Sequence, residues 1–259
     1  MSPRELIINV DDIGIHSGAV DAAIEVITRG VAASGSVMVV CPGANAALDL
    51  LAGHPEVPVG VHLTLTADFS DAPWSPLTAG ASIQENGRLL GIERREQLLA
   101  QAVAGEVEAE FRAQIEALID AGVQPTHLDW HCLADGGRDD IFDLTMELAV
   151  EYGIGIRAWT DHGRDAVRSR GRTAQDQPFL DSFAAPVEGR LEWFLDRISE
   201  IRDGLTEWAM HPARPATLDK GSDLRVSDRE LLLSASIRQA LDDEEITVLG
   251  HGDLTLDRP

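Results

Sequence analysis

The chain has almost no lysine. Of 21 basic residues in 259, the single lysine is Lys220, in a polar, turn-like DKGSD segment. Schiff-base chemistry, which needs a desolvated amine, is set aside on that ground. Cysteine is nearly as scarce: Cys41 and Cys132 make no disulfide framework, which points to a reducing compartment. No apolar run approaches the roughly 18 residues of a membrane span. The N-terminal MSPRELIINV has no basic segment followed by a long apolar one. These absences predict a cytoplasmic protein. Positive charge is short as well, with 44 acidic residues against 21 basic ones and a net charge of −23. Such a surface repels phosphate backbones and anionic headgroups, so no nucleic-acid or membrane partner is expected. A neutral or cationic small molecule is easier to accommodate.

What is present suits a globular fold. Hydrophobic residues make up 44%, charged residues 25% and aromatics 5%, enough to bury a sizeable core. The length fits two small domains, but α/β barrels often use it for one. Short apolar runs alternate with stretches of helical period. Strands are expected at residues 6–10, 36–40, 57–66, 126–129, 155–159, 207–211 and 245–250. Helices are expected at 17–29, 42–51, 94–121, 141–152, 188–202 and 227–241. Residues 68–92, rich in Pro, Gly and Ser, read as a long excursion or lid, and 161–177 as a mobile loop. Strands alternating with helices argue for a parallel sheet with right-handed crossovers. About seven βα units predict one TIM-barrel-like α/β domain over residues 1–259, a (β/α) barrel that is distorted or incomplete, with excursions near 68–92 and 161–187.

The unusual side chains fall where those strands end. Asp11 and Asp12 follow the first strand in IINVDDIG, and His62 lies in the third, in GVHLTLT. His127 and His131 bracket the end of the fourth, in PTHLDWHC. Trp159 and Asp161 follow the fifth, His211 the sixth and His251 the seventh. In a parallel barrel the carboxyl ends of the strands share one rim, where such folds build their sites. Each residue alone has a plainer explanation. The aspartate pair is also a good helix N-terminus, and a lone strand histidine is often a satisfied core residue. His127 and His131, four apart across a strand end, need not share an ion. His16 and His54 read as surface residues. Together, a carboxylate and two imidazoles from different strand ends make a metal site with open positions. A neighbouring carboxylate then suffices as base, because a metal acidifies water.

These segments, with RGVAASGSVMV and MHP, resemble the YdjC-like (ChbG/HpnK) carbohydrate deacetylases, in order along nearly the whole chain. The resemblance implies a distorted (β/α) barrel that removes N-acetyl groups from amino sugars with one divalent metal, often magnesium. Ligand softness by itself suits zinc or another transition metal. Carried over by position, Asp12, His62 and His131 hold the metal and Asp11 is the base. His211 protonates the leaving amine, with His127 as the other candidate acid, and Asp129 orients one of the histidines. The resemblance also implies a homodimer. Three positions depart from the family pattern: Ile13 for Phe in DDFG, Cys132-Leu133-Ala134-Asp135 where further histidines usually follow His131, and Ala213 for Gly after His211-Pro212. The rival readings are another metal-dependent amide or ester hydrolase on the same barrel, and a sugar-binding protein that keeps the fold without catalysis.

Overall fold

A computed structural model describes residues 3–68, 72, 74–215 and 222–254. Lys220 lies outside these residues. Eight parallel strands form one curled sheet: β1 (Arg4–Ile13), β2 (Ser34–Val37), β3 (Val59–Leu63), β4 (His127–Trp130), β5 (Gly155–Ile156), β6 (Leu180–Asp181), β7 (Gly204–Met210) and β8 (Ile246–Leu249). Their order is β5-β4-β3-β2-β1-β7-β6, with β8 also on β1. Because β7 takes one edge of β1 from Arg4 to Val10, β2 and β8 share the other, β8 at Arg4–Ile7 and β2 from Asn9 onward. The sheet ends at β5 and β6, and among the described residues no ladder joins them. The result is the expected distorted barrel, open along one seam.

Nine helices are described: α1 (Ser17–Arg29), α2 (Ala44–Ala52), α3 (Arg95–Gln101), α4 (Ala104–Asp120), α5 (Asp139–Glu151), α6 (Asp161–Ser169), α7 (Arg190–Ser199), α8 (Ser222–Leu233) and α9 (Ala235–Asp243). The longer ones bury an apolar stripe, as α4 does with Val107, Phe111, Ile115 and Leu118. Among the described residues no helix is long and apolar enough to cross a membrane.

Several boundaries differ from the sequence reading. The helix expected over 94–121 is two, because Ala102 is extended and the Val103 amide donates to Ser82 Oγ at 2.9 Å. The helix expected over 227–241 also splits, at Ser234, whose hydroxyl caps α9 through Ile237 N at 3.2 Å. Residues 161–177 are not simply a loop. They begin with α6, capped by Thr160, whose one buried apolar position, Val167, is too little to show a period. The two-residue β6 has no pattern to detect. In the 68–92 excursion, buried Glu110 of α4 accepts the Leu77 and Thr78 amides at 3.0 and 2.8 Å. Glu106 holds Ser82 in the same way at 2.7 Å. These bonds tie residues 77–82 to α4, which a free lid would not allow. Finally, β1 runs through the aspartate doublet instead of ending before it.

Candidate active site

The doublet occupies a break in register. Between Val10 and Ile13 the pairing of β1 with β2 shifts, and Asp12 takes a left-handed φ of 62°, which aspartate tolerates better than most residues. The irregularity sends the two carboxylates to different partners. Gly14 follows at φ 104°, where a Cβ would come within 2.7 Å of the Met38 carbonyl, so the chain turns away through a residue without one. The doublet caps no helix. That task falls to half-buried His16, whose ring accepts from Ala19 N at 3.3 Å, whereas His54 is a surface residue beside Glu56.

Asp12 Oδ1 lies 3.3 Å from His62 Nε2 and 3.2 Å from His131 Nδ1. One donor atom from each of the three falls within 4.8 Å of the others, and all three residues are buried. The second nitrogen of each imidazole meets another carboxylate: His62 Nδ1 is 2.8 Å from Asp129 Oδ1, and His131 Nε2 is 2.7 Å from Asp68 Oδ1. Histidines that bind metals are usually oriented in this way. The Asp12 Oδ2 atom accepts from Arg225 at 2.7 Å. Burial opposes charge on Asp12, but Arg225 and the two imidazoles outweigh it and hold the carboxyl well below its usual range. Burial also opposes charge on His62, yet Asp129, Asp12 and Asp11 push it up to about 10. One hard oxygen and two imidazole nitrogens, converging within 4.8 Å of one another, fit a divalent cation. Two other sets converge as closely, Asp68–His131–Cys132 and Asp11–His62–Asp129. In the last, Arg157 already engages both carboxylates.

Asp11 turns to the layer beneath. Arg157, fully buried, donates Nη1 to Asp11 Oδ2 at 2.7 Å and Nη2 to Oδ1 at 2.8 Å. The same guanidinium reaches Asp129 at 2.9 Å and Glu207 at 2.7 Å. Burial opposes ionisation of Asp11, and the Arg157 charge and hydrogen bonds overcome it, so the carboxyl lies far below its ordinary value. His251 Nε2 meets Glu207 at 2.9 Å, and its ring stacks on His127 with centroids 3.7 Å apart. His127 is wholly buried, and among the described residues its Nε2 has no hydrogen-bond partner. It does not line the cavity that Asp11, Asp12, His62 and His131 share.

That cavity measures about 460 Å³, and His211 also lines it. His211 Nδ1 is 3.0 Å from Ser182 Oγ, and that hydroxyl donates to Asp228 at 2.5 Å. Ser182 has one proton and Asp228 accepts it, so the hydroxyl oxygen receives His211 Nδ1–H. This assigns the remaining nitrogen, Nε2, to proton exchange. Buried Arg190 pairs with Asp228 from behind, and Phe183 stacks on the imidazole with centroids 4.1 Å apart. The structure therefore brings together Asp11, Asp12, His62, His131 and His211, with Asp129 behind His62, and leaves His127 a layer below. Trp159 reaches the cavity wall, but Asp161 is an exposed residue of the first turn of α6.

Sequence reasoning missed Arg157, Arg225, Asp68 and the Ser182–Asp228–Arg190 set. For Arg157 a signal existed, since it is the one charge in the strand-like run GIGIRAW. The others lie in helices and loops dense with charge, where nothing distinguished them.

The family described as YdjC-like protein matches residues 5–243 of the chain. A carbohydrate deacetylase from Geobacillus stearothermophilus is 32% identical over 219 residues, which cover 82% of this chain and 80% of that one. Carbohydrate deacetylase 1 from Listeria innocua is 28% identical over 260 residues, covering 96% and 100%. Among solved structures, a protein from Enterococcus faecalis described as a cellobiose-phosphate cleavage protein superposes with a TM-score of 0.85 at 24% identity, over 98% of this chain and 100% of that one. At that identity the likeness is one of fold.

Proposed function

The chain belongs to the YdjC-like family, and we propose from that membership and its cavity that it is a metal-dependent carbohydrate N-deacetylase. The observation that carries this reading is the convergence of Asp12, His62 and His131 in one cavity with a second carboxylate, Asp11, and an imidazole, His211. The relatives named carbohydrate deacetylase supply the substrate class. Asp12, His62 and His131 would hold the cation, magnesium by family or a transition metal by donor type. When bound, it would polarise the acetamide carbonyl and acidify water.

The chain's own residues then divide the proton work. Asp11, kept ionised by Arg157, accepts the proton of the attacking water as the new C–O bond forms. His211 Nε2, its ring oriented from Nδ1 by Ser182, donates a proton to the nitrogen as the C–N bond breaks. The remaining hydroxyl proton passes to the amine, so acetate and a protonated amine leave, and the proton taken by Asp11 replaces the one His211 gave. His127, the other candidate acid, is not among the residues that line this cavity, so the scheme assigns the proton to His211.

The test is acetate release from a panel of N-acetylated mono- and oligosaccharides, after chelation and again with added divalent ions. Metal-dependent acetate release is expected. Release of phosphate or ammonia from other substrates would favour a different hydrolase, and saccharide binding without turnover a non-catalytic protein. Asp11→Asn should lower turnover roughly 10²–10⁴-fold, the usual worth of a general base. A near-wild-type rate would remove Asp11 from the mechanism.

A further inference from the structure

The stretch after His131, where the chain leaves the family pattern, ends at Asp135. Asp135, Gly136 and Gly137 take φ values of 48°, 70° and 74°, a left-handed run suited to aspartate and glycine. From that turn the Asp135 carboxylate crosses to the segment after β5. Its Oδ1 accepts the Trp159 amide at 2.7 Å, and its Oδ2 accepts the Thr160 amide at 3.1 Å and the Thr160 hydroxyl. Thr160 in turn caps α6, its Oγ1 accepting from Gly163 N at 3.0 Å. A Cβ on Gly163 would collide with the Asp135 carboxylate. One half-buried side chain thus fixes two successive amides and the start of a helix.

The residue so fixed stands at the open seam of the barrel. Trp159 stacks on Phe179 with centroids 4.8 Å apart and 13° between planes. Arg157 lies over the same phenylalanine at 5.1 Å. These rings bridge β5 and β6, which no ladder joins. Trp159 is half-buried and lines the cavity that holds Asp11, Asp12 and His211. With one face stacked on Phe179, the indole contributes aromatic surface to the lining of that cavity. Pyranose rings present C–H faces that lie on such walls while their hydroxyls turn to polar groups at the edge.

We propose that Trp159, held across the open seam by Asp135, is the stacking wall for a sugar ring of the substrate, and that Asp135 is its positioning residue. This rests on the carbohydrate reading above. A purely structural clamp would change melting behaviour and leave saccharide affinity alone.

The probe is the N-acetylglucosamine disaccharide, followed by acetate release and, independently, by calorimetric binding. Asp135→Asn keeps size and left-handed tolerance, but its amide nitrogen turns a donor toward backbone N–H groups. Asp135→Asn and Trp159→Ala should each raise KM and weaken binding about tenfold or more, as loss of an aromatic anchor does, with kcat nearly unchanged. Trp159→Phe should recover most of the affinity. Trp159→Leu fills the seam without an aromatic face and replaces the alanine variant if that one does not fold. Unchanged KM and binding in these variants, or a loss confined to kcat, would overturn the wall. If the wild type releases no acetate, binding decides alone. Affinity lost in Trp159→Ala or Trp159→Leu and kept in Trp159→Phe supports the wall while the deacetylase reading falls. Equal binding by wild type and variants, or no binding by the wild type, overturns the wall whatever the turnover.

Discussion

His127 and His131 lie four residues apart on one segment, both almost wholly buried, and their proton affinities move in opposite directions. Burial penalises the charged form of each. At His131 the contacts with Cys132, Asp12 and Asp68 outweigh that penalty and push the ring well above its ordinary value. At His127 burial is reinforced by the positive surroundings of His251, Arg157 and His62, and the ring falls well below. The pair marks two layers of the barrel. The upper has donors converging on a cavity, where a cation can replace protons. In the lower, Arg157 neutralises the fully buried Asp129 and Glu207, and it also reaches Asp11 on the cavity wall. Both rings are buried, but His131 meets Asp12 and Asp68 at 3.2 and 2.7 Å, whereas His127 Nε2 stands 3.9 Å from Asp129.

The sharpest way to break this division is through Arg157. Arg157→Met, similar in size, leaves Asp11, Asp129 and Glu207 buried without their shared cation. Breaking a buried pair in this way costs about 3–5 kcal/mol, so chemical denaturation should show a large stability loss together with lost acetate release. A stable, active variant would mean that the lower layer does not support the upper one. Asp129→Asn is a finer cut, because Asp129 belongs to both layers through His62 and Arg157. Removing an outer carboxylate from a ligand histidine typically weakens metal binding 10–100-fold. A metal titration in which Asp129→Asn matches the wild type would show that His62 is not held for a cation.

Strand-end position was enough to find the upper layer from sequence. Asp11, Asp12, His62, His131 and His211 all face the cavity because parallel strands deliver their carboxyl ends to one rim. Position along a strand does not tell depth. His127 and His131 straddle β4 (His127–Trp130), and a shift from one end of that strand to the other moves a side chain from core to cavity. Partners far apart in sequence were also invisible. Arg157 meets Asp11 across 146 residues and Arg225 meets Asp12 across 213, and no local pattern links them. The alternation of strands and helices foretold the barrel. At its seam, β5 falls within the strand expected over 155–159, whereas β6, two residues long, lay below the length at which periodicity speaks.

The smallest expected effect separates the two layers by sign. His127 has a folded-state pKa depressed below the value of about 6.5 it has in an unfolded chain. Above pH 6.5 it is neutral in both states and its site contributes full stability. Below that pH the unfolded chain takes up a proton that the folded site refuses, so stability falls by up to about 1.4 kcal/mol per pH unit. His62, raised to about 10, behaves oppositely in the metal-free protein. Its contribution is complete below pH 6.5 and is lost as pH rises toward 10. Urea unfolding of metal-free wild type and His127→Gln at pH 7.5 and 5.5 isolates the first of these, because His62 is common to both proteins. The variant should lose less stability on acidification, by roughly one kcal/mol. Equal losses would mean that His127 is protonated as readily in the fold as out of it. The two layers would then differ in position alone and not in electrostatics.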